Sequence, residues 1–136
     1  MIFVDSTAWI ALELPDDARH DEAVRAFAKI RRGTYGTIVT SDYVLSESLA
    51  AVRMEGGLPA AERVATRVLD SRSVRLVWTE SLAFRQAWER MRSRRDKRWS
   101  LVDCLRFVHM EELGISTALA FDEDFAQAGF SVLADE

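Results

Sequence analysis

Short apolar runs alternate with longer stretches of helical period along the whole chain, and this alternation limits the possible folds more than any other feature. "IFV" (2–4), "TIV" (37–39), "VRLVW" (74–78), "TALAF" (117–121) and "FSVL" (130–133) have the length and composition of strands. Between them, "DDARHDEAVRAFAKIRRG" (16–33) sets Ala23, Phe27 and Ile30 at helical spacing and stops at Gly33. "SDYVLSESLAAVRMEGG" (41–57) reads as a helix ending at a Gly pair, and "PAAERVATRVLDS" (59–71) as a new helix with Pro in its first turn. Thr79 is placed to cap "ESLAFRQAWERMRSR" (80–94), and "SLVDCLRFVHMEELG" (100–114) closes at Gly114. Strands in alternation with helices predict an α/β fold, with a central parallel sheet of four to five strands and helices on both faces. A length of 136 residues suits one domain, 1–136, around one core. No repeat, linker or low-complexity segment interrupts it.

Composition narrows the function. The 49% hydrophobic content suits a folded globule. No apolar run approaches the ~20 residues of a membrane span. The N-terminus lacks a charged region followed by a long apolar stretch, so no secretory signal is expected. Cys104 is the only cysteine, which excludes an internal disulfide and agrees with a cytoplasmic setting. Eighteen basic against 22 acidic residues give a net charge of -4, so nucleic acid could be held only by a local basic patch or through bound cations. No Gly-rich phosphate loop is present, and nothing pairs a nucleophile with a base. His20 and His109 are expected at the surface, and Cys104 in the core.

Four acids stand where a parallel sheet would gather them. Ligands of such sheets collect outside the carboxyl ends of the strands. Asp5 follows "IFV" there, and Asp122 follows "TALAF". Either could instead be a helix cap. Glu47 shares a helical stripe with Tyr43, Ala50 and Met54, so a carboxylate is expected among apolar neighbours, at a cost if it is unpaired. The alternative is a surface Glu at the stripe's margin, or one paired with an Arg. Asp103 shares a stripe with Phe107 and Met110, and "SLVD" from Ser100 has the form of a capping box. Capping and metal ligation are compatible, because a helix N-terminus tolerates and orients an anion. Brought together bare, four carboxylates repel one another. A hard divalent cation, Mg²⁺ or Mn²⁺, resolves the conflict, and such a site suits phosphodiester cleavage.

The ordered segments "FVDSTAWIAL", "SDYVLSESLAAV", "WSLVDCLRFVHMEELG" and "ALAFDEDFAQAGF" resemble a PIN domain, and most of all the VapC-type toxins of toxin–antitoxin pairs. The resemblance runs from Met1 nearly to the last residue. It places the family's four acids on Asp5, Glu47, Asp103 and Asp122, with Asp124 able to substitute or assist. It gives Ser6 and Ser100 supporting roles beside the first and third acids. It implies a Mg²⁺- or Mn²⁺-dependent endoribonuclease that cuts single-stranded or looped RNA by water attack on phosphorus. Asp5, Glu47 and Asp103 would hold the principal metal, and Asp122 would complete the site or help a second ion. It also implies a homodimer, bound by a VapB-like antitoxin that supplies the contact with operator DNA.

"RMRSRRDKR" (90–98) leads into Trp99 and the helix of Asp103. Arg92, Arg94, Arg95, Lys97 and Arg98 could guide RNA phosphates, form a solvated helix end, or meet an acidic antitoxin peptide. Trp88 or Trp99 could stack on a base, though Trp99 suits core packing. Two other classes are open. A phosphotransfer receiver fits poorly, since "TIV" and "VRLVW" are followed by threonines. A non-catalytic PIN-like module that captures RNA or antitoxin is disfavoured by the presence of all four acids.

Overall fold

The computed structural model describes residues 1–133; the last three positions of the expected 1–136 domain lie outside the described residues. The elements run β1 (Ile2–Val4), α1 (Ser6–Glu13), α2 (His20–Arg31), β2 (Ile38–Ser41), α3 (Asp42–Leu69), β3 (Val74–Val77), α4 (Ser81–Ser93), α5 (Leu101–Glu112), β4 (Thr117–Leu119), α6 (Asp124–Gln127) and β5 (Ser131–Val132). The strands form one five-stranded sheet in the order β3-β2-β1-β4-β5, and every neighbouring pair is parallel. Phe3 of β1 pairs with Val39 on one side and Ala118 on the other. The most apolar strand is thus central, and its three residues are fully buried.

This order positions the site. The chain steps outward from β1 to β2 and β3, then returns to the other side of β1 as β4. Right-handed crossovers put the first set of helices on one face and α4 and α5 on the other. Accordingly α1 packs on α2 and α3, and α4 packs on α5. The reversal between β1 and β4 makes their carboxyl ends the switch point at which sheets of this kind bind ligands. Asp5 stands at the end of β1, tied to β4 by its backbone N–H, which donates to Leu119 O at 3.0 Å. Under α5, Trp99, Phe107, Phe125 and Phe3 form a chain of aromatic contacts with centroids 5.0, 5.6 and 6.2 Å apart. That chain fixes the helix carrying Asp103 against the sheet.

Several expectations need correction. The stripe of Tyr43, Glu47, Ala50 and Met54 is not buried: Met54 is 85% exposed. α3 instead covers the sheet with Val44, Leu45, Ser48 and Val52. Glu47 lies beside that face, and its side chain is 46% exposed. Thr79 does not cap α4. Its N–H and hydroxyl both donate to the Asp42 carboxylate, at 3.1 and 2.6 Å, which binds the end of β3 to the start of α3. His109 is not at the surface: it is 1% exposed, and neither ring nitrogen has a hydrogen-bond partner. Burial lowers its pKa and keeps it neutral, against the opposing pull of Glu112 and Asp42. Neither α1 nor the short α6 has a counterpart among the predicted helices. Cys104 is fully buried, as expected, and burial pushes its thiol pKa up.

The two helices read from 41–57 and 59–71 form one run that breaks at Gly57, with φ 80° and ψ 177°. That backbone region is essentially closed to residues with a Cβ. Pro59 then opens the second arm, where its missing N–H costs nothing. The break ends the arm that carries Glu47. We expect Gly57→Ala to lower stability by about 1–3 kcal/mol in equilibrium urea unfolding, through backbone strain. An added Cβ there meets only Pro59 Cδ, at 3.7 Å, so steric clash is not the cause.

Candidate active site

Asp5 is the N-cap of α1 and is completely buried. Its Oδ2 accepts from the Thr7 hydroxyl at 2.7 Å and from the Thr7 N–H at 3.3 Å. The Thr7 oxygen in turn accepts from the Phe121 N–H at 3.1 Å. One hydroxyl therefore orients the first acid and ties the end of β1 to the segment leading to Asp122. Asp5 caps α1 and still turns its second oxygen toward the other acids' cation, so the capping role leaves that oxygen open to a second role.

The other oxygen of Asp5 turns toward Arg106, a residue the sequence reading passed over. Arg106 lies on α5, and its side chain is 5% exposed. Each of its three nitrogens meets a different carboxylate. Nε is 2.9 Å from Asp5 Oδ1, Nη1 is 2.7 Å from Asp103 Oδ1, and Nη2 is 2.8 and 2.9 Å from the two oxygens of Glu47. The contact with Asp5 is electrostatic only, because neither Nε nor Oδ1 has a hydrogen-bond partner. Their separation is short, but the N–H is not directed at the oxygen. Burial works against the charge of Arg106, yet Asp5, Glu47, Asp103 and Asp122 more than reverse that, and its pKa lies above the ordinary arginine value. The spacing Asp103–Arg106 is one helical turn, and an Arg inside "CLRFVHM" is the signal that could have revealed it.

Ser6 and Ser100 hold two of these acids. The Ser6 hydroxyl, expected to support Asp5, donates to Glu47 Oε1 at 2.7 Å instead; Arg106 Nη2 approaches it at 3.3 Å. Thr7 is the hydroxyl that serves Asp5. Ser100 and Asp103 form the anticipated capping box: Ser100 Oγ accepts from Asp103 N–H at 3.1 Å, and Asp103 Oδ2 accepts from Ser100 N–H at 2.8 Å. Asp103 therefore offers one oxygen to its own helix and the other to Arg106.

Asp122 and Asp124 make up the remaining corner. Asp122 Oδ1 accepts from Asp124 N–H at 3.2 Å. No basic side chain among the described residues forms an ion pair with either acid. Burial, followed by the charges of Asp5 and Asp124, pushes Asp122 up to about 7. Burial and the charge of Asp103 also raise Asp124. The five carboxylates thus share one edge of the fold, three on a guanidinium and two without an ion-pair partner among the described residues.

The basic segment is divided. Arg92 pairs with Glu89, Arg90 with Glu111, and Arg94 with Asp96. Arg94 and Lys97 also lie over the ring of the buried Trp99, at 5.0 and 5.9 Å. Arg95 and Arg98 are exposed and form no ion pair among the described residues. Trp88 is half exposed on α4. The histidines stand apart from the acids: His20 Nδ1 is 2.8 Å from Ala11 O, and His109 is enclosed in the core.

An all-parallel sheet with acids gathered at its switch point has a counterpart among known proteins. The PIN domain family matches residues 2–131. The chain belongs to the PIN domain family. Two curated PIN relatives, the 23S rRNA-specific endonuclease VapC20 of Mycobacterium tuberculosis strains CDC 1551 / Oshkosh and ATCC 25618 / H37Rv, are each 37% identical over 130 residues. The match covers 96% of this chain and 95% of each relative. The crystal structure of M. tuberculosis VapC20, titled a Sarcin-Ricin loop cleaving toxin, aligns with a TM-score of 0.88 at 35% identity, covering 96% of both chains.

The donors at this PIN edge fit a hard divalent cation in kind, since all are carboxylate oxygens. They also fit in charge, since Asp122 and Asp124 have no ion-pair partner among the described residues and feel Arg106 only at a distance. Among the described residues, however, no three acids or histidines already close around an open metal position. Arg106 stands where Asp5, Glu47 and Asp103 converge.

The raised Asp122 predicts a pH dependence. A carboxyl that titrates at about 7 in the fold, against 3.8 ordinarily, binds its proton more tightly when folded. Its contribution to stability is therefore present at low pH and lost as pH rises through about 7. We expect Asp122→Asn, melted in EDTA, to gain in Tm relative to wild type as pH goes from about 5 to about 8. An unchanged difference across that range would contradict the assigned environment.

Proposed function

We propose that the chain is a metal-dependent endoribonuclease of the VapC type that cleaves a loop of ribosomal RNA. The observation that carries this reading is the convergence of Asp5, Glu47, Asp103 and Asp122, with Asp124, at the carboxyl edge of the sheet. Similarity to VapC20 along nearly the whole chain points to the substrate class: those relatives are named for 23S rRNA and for the sarcin–ricin loop.

A bound Mg²⁺ or Mn²⁺ lowers the pKa of water and neutralises charge on the phosphoryl oxygens. The chain's own residues prepare the place. Asp5, Asp103, Asp122 and Asp124 offer the oxygens, while Thr7 and Ser100 orient the first two. Arg106 offsets part of the negative field that an incoming phosphodiester would otherwise meet. Its burial keeps it on the acids and away from the RNA backbone. Neither Ser6 nor Thr7 is a nucleophile, because both hydroxyls are engaged with carboxylates. Water attack on phosphorus with departure of the 3′ oxygen leaves a 5′-phosphate and a 3′-hydroxyl. Arg95 and Arg98, with Lys97 beside them, are the free positive charges at the entrance to α5 and are suited to RNA phosphates.

The setting follows from the same reading. The protein acts in the cytoplasm as a homodimer, restrained by a VapB-like antitoxin that carries the operator contact. No helix among the described residues is long and apolar enough to cross a membrane.

The test is cleavage of ribosomal RNA and of an isolated sarcin–ricin hairpin, with both new ends mapped. We expect a discrete cut with a 5′-phosphate, abolished by EDTA and restored by Mg²⁺ or Mn²⁺. Asp103→Asn should slow it by at least about 100-fold, the scale on which catalytic groups act. Equal cutting by wild type and Asp103→Asn would sink the proposal.

A further inference from the structure

Arg106 divides the five acids unequally. Both oxygens of Glu47 are occupied: Oε1 accepts from Ser6 at 2.7 Å and from Arg106 Nη2 at 2.8 Å, and Oε2 lies 2.9 Å from the same nitrogen. Both oxygens of Asp103 are occupied as well, but only Oδ1 faces the guanidinium, at 2.7 Å from Nη1, while Oδ2 accepts from Ser100 N–H at 2.8 Å. Asp5 touches it without a hydrogen bond. Asp122 and Asp124 make no ion pair with it. The number of oxygens hydrogen-bonded to Arg106 thus falls from two at Glu47 to one at Asp103 and none at Asp5, Asp122 or Asp124.

We propose that Arg106 is a built-in cation that claims Glu47, so that a divalent ion is held by Asp5, Asp103 and the Asp122–Asp124 corner while Glu47 positions Arg106. This inference rests on the metal-dependent reading above. For Glu47 to become a ligand it must give up charge-assisted bonds to a buried guanidinium and leave that charge short of a partner, which is costly. The ion has no need of it, because Mg²⁺ and Mn²⁺ keep several waters and take few protein ligands. Arg106 also sets the affinity: a fixed positive charge among the donors repels the ion. Arginine suits this task because its planar fork serves three carboxylates at once, which a lysine ammonium does not. Glu47 is therefore a positioning residue that acts through Arg106.

The test is Mn²⁺ binding to the full-length chain, read as free Mn²⁺ by electron paramagnetic resonance, with folding checked by circular dichroism. Glu47→Gln should keep Mn²⁺ affinity within about threefold of wild type, while Asp103→Asn should lose roughly 10–100-fold. Arg106→Gln should bind Mn²⁺ roughly tenfold more tightly than wild type. In that background Glu47 is released, and adding Glu47→Gln should cost about tenfold, a penalty absent when Arg106 is present. Comparable losses from Glu47→Gln and Asp103→Asn in the wild-type background would overturn the role given to Arg106 while leaving metal dependence intact. No Mn²⁺ binding by folded wild type would overturn the metal reading itself. If Arg106→Gln does not fold, the comparison of wild type, Glu47→Gln and Asp103→Asn still decides the question.

Discussion

Three carboxylates within ion-pair distance of one buried guanidinium set the conditions for this edge of the molecule. Asp5 is fully enclosed, and a charge in that position without a counter-charge would be expensive. Arg106 supplies the counter-charge from α5, and in doing so joins the central strand, α3 and α5 at one point. A buried charged group of this kind is weak evidence for stability, because desolvation opposes the attraction. Its effect is to specify geometry: the acids can meet only if β1, α3 and α5 are in register.

Local structure is used twice throughout the site. Asp5 caps α1 and Asp103 completes the capping box of α5, and each still turns an oxygen toward the guanidinium. Helix N-termini tolerate anions, so these carboxylates are oriented by the backbone before any ion is considered. Thr7 extends the arrangement across the sheet by serving Asp5 on one side and Phe121 N–H on the other. The strand order does the rest, since the reversal beside β1 is where such a fold opens a crevice. Behind it, the aromatic contacts from Trp99 to Phe3 hold α5 at the depth the ion pairs require.

Much of this was legible in the residues. The five strands, their parallel arrangement and the capping box at Ser100 follow from short-range pattern. Asp5 and Asp122 could be placed at strand ends for the same reason. For Glu47 the alternative of a marginal, Arg-paired carboxylate holds and the buried stripe does not: a 3.6-residue period identifies stripes, but which stripe is buried depends on how the helix rolls on the sheet. The stripe of Val44, Leu45, Ser48 and Val52 faces inward, and Glu47 borders it. Thr79 looked like a cap because Thr often caps, yet the Asp42 carboxylate offered it a stronger partner. His109 lies off the stripe of Asp103 and is expected at the surface, and only the packing of α5 shows it enclosed.

By itself, the sequence determined the succession of five strands, most of the helices between them and the parallel α/β architecture, because these depend on periodicity, capping chemistry and residue type over a few turns. Tertiary structure alone decided that Arg106 stands among the acids, that Ser6 serves Glu47 while Thr7 serves Asp5, and that Asp122 and Asp124 are left without an ion-pair partner among the described residues. The reason is physical: charge–charge distances between positions as far apart as 5, 47 and 106 are set by how strands and helices pack, and no local pattern encodes them.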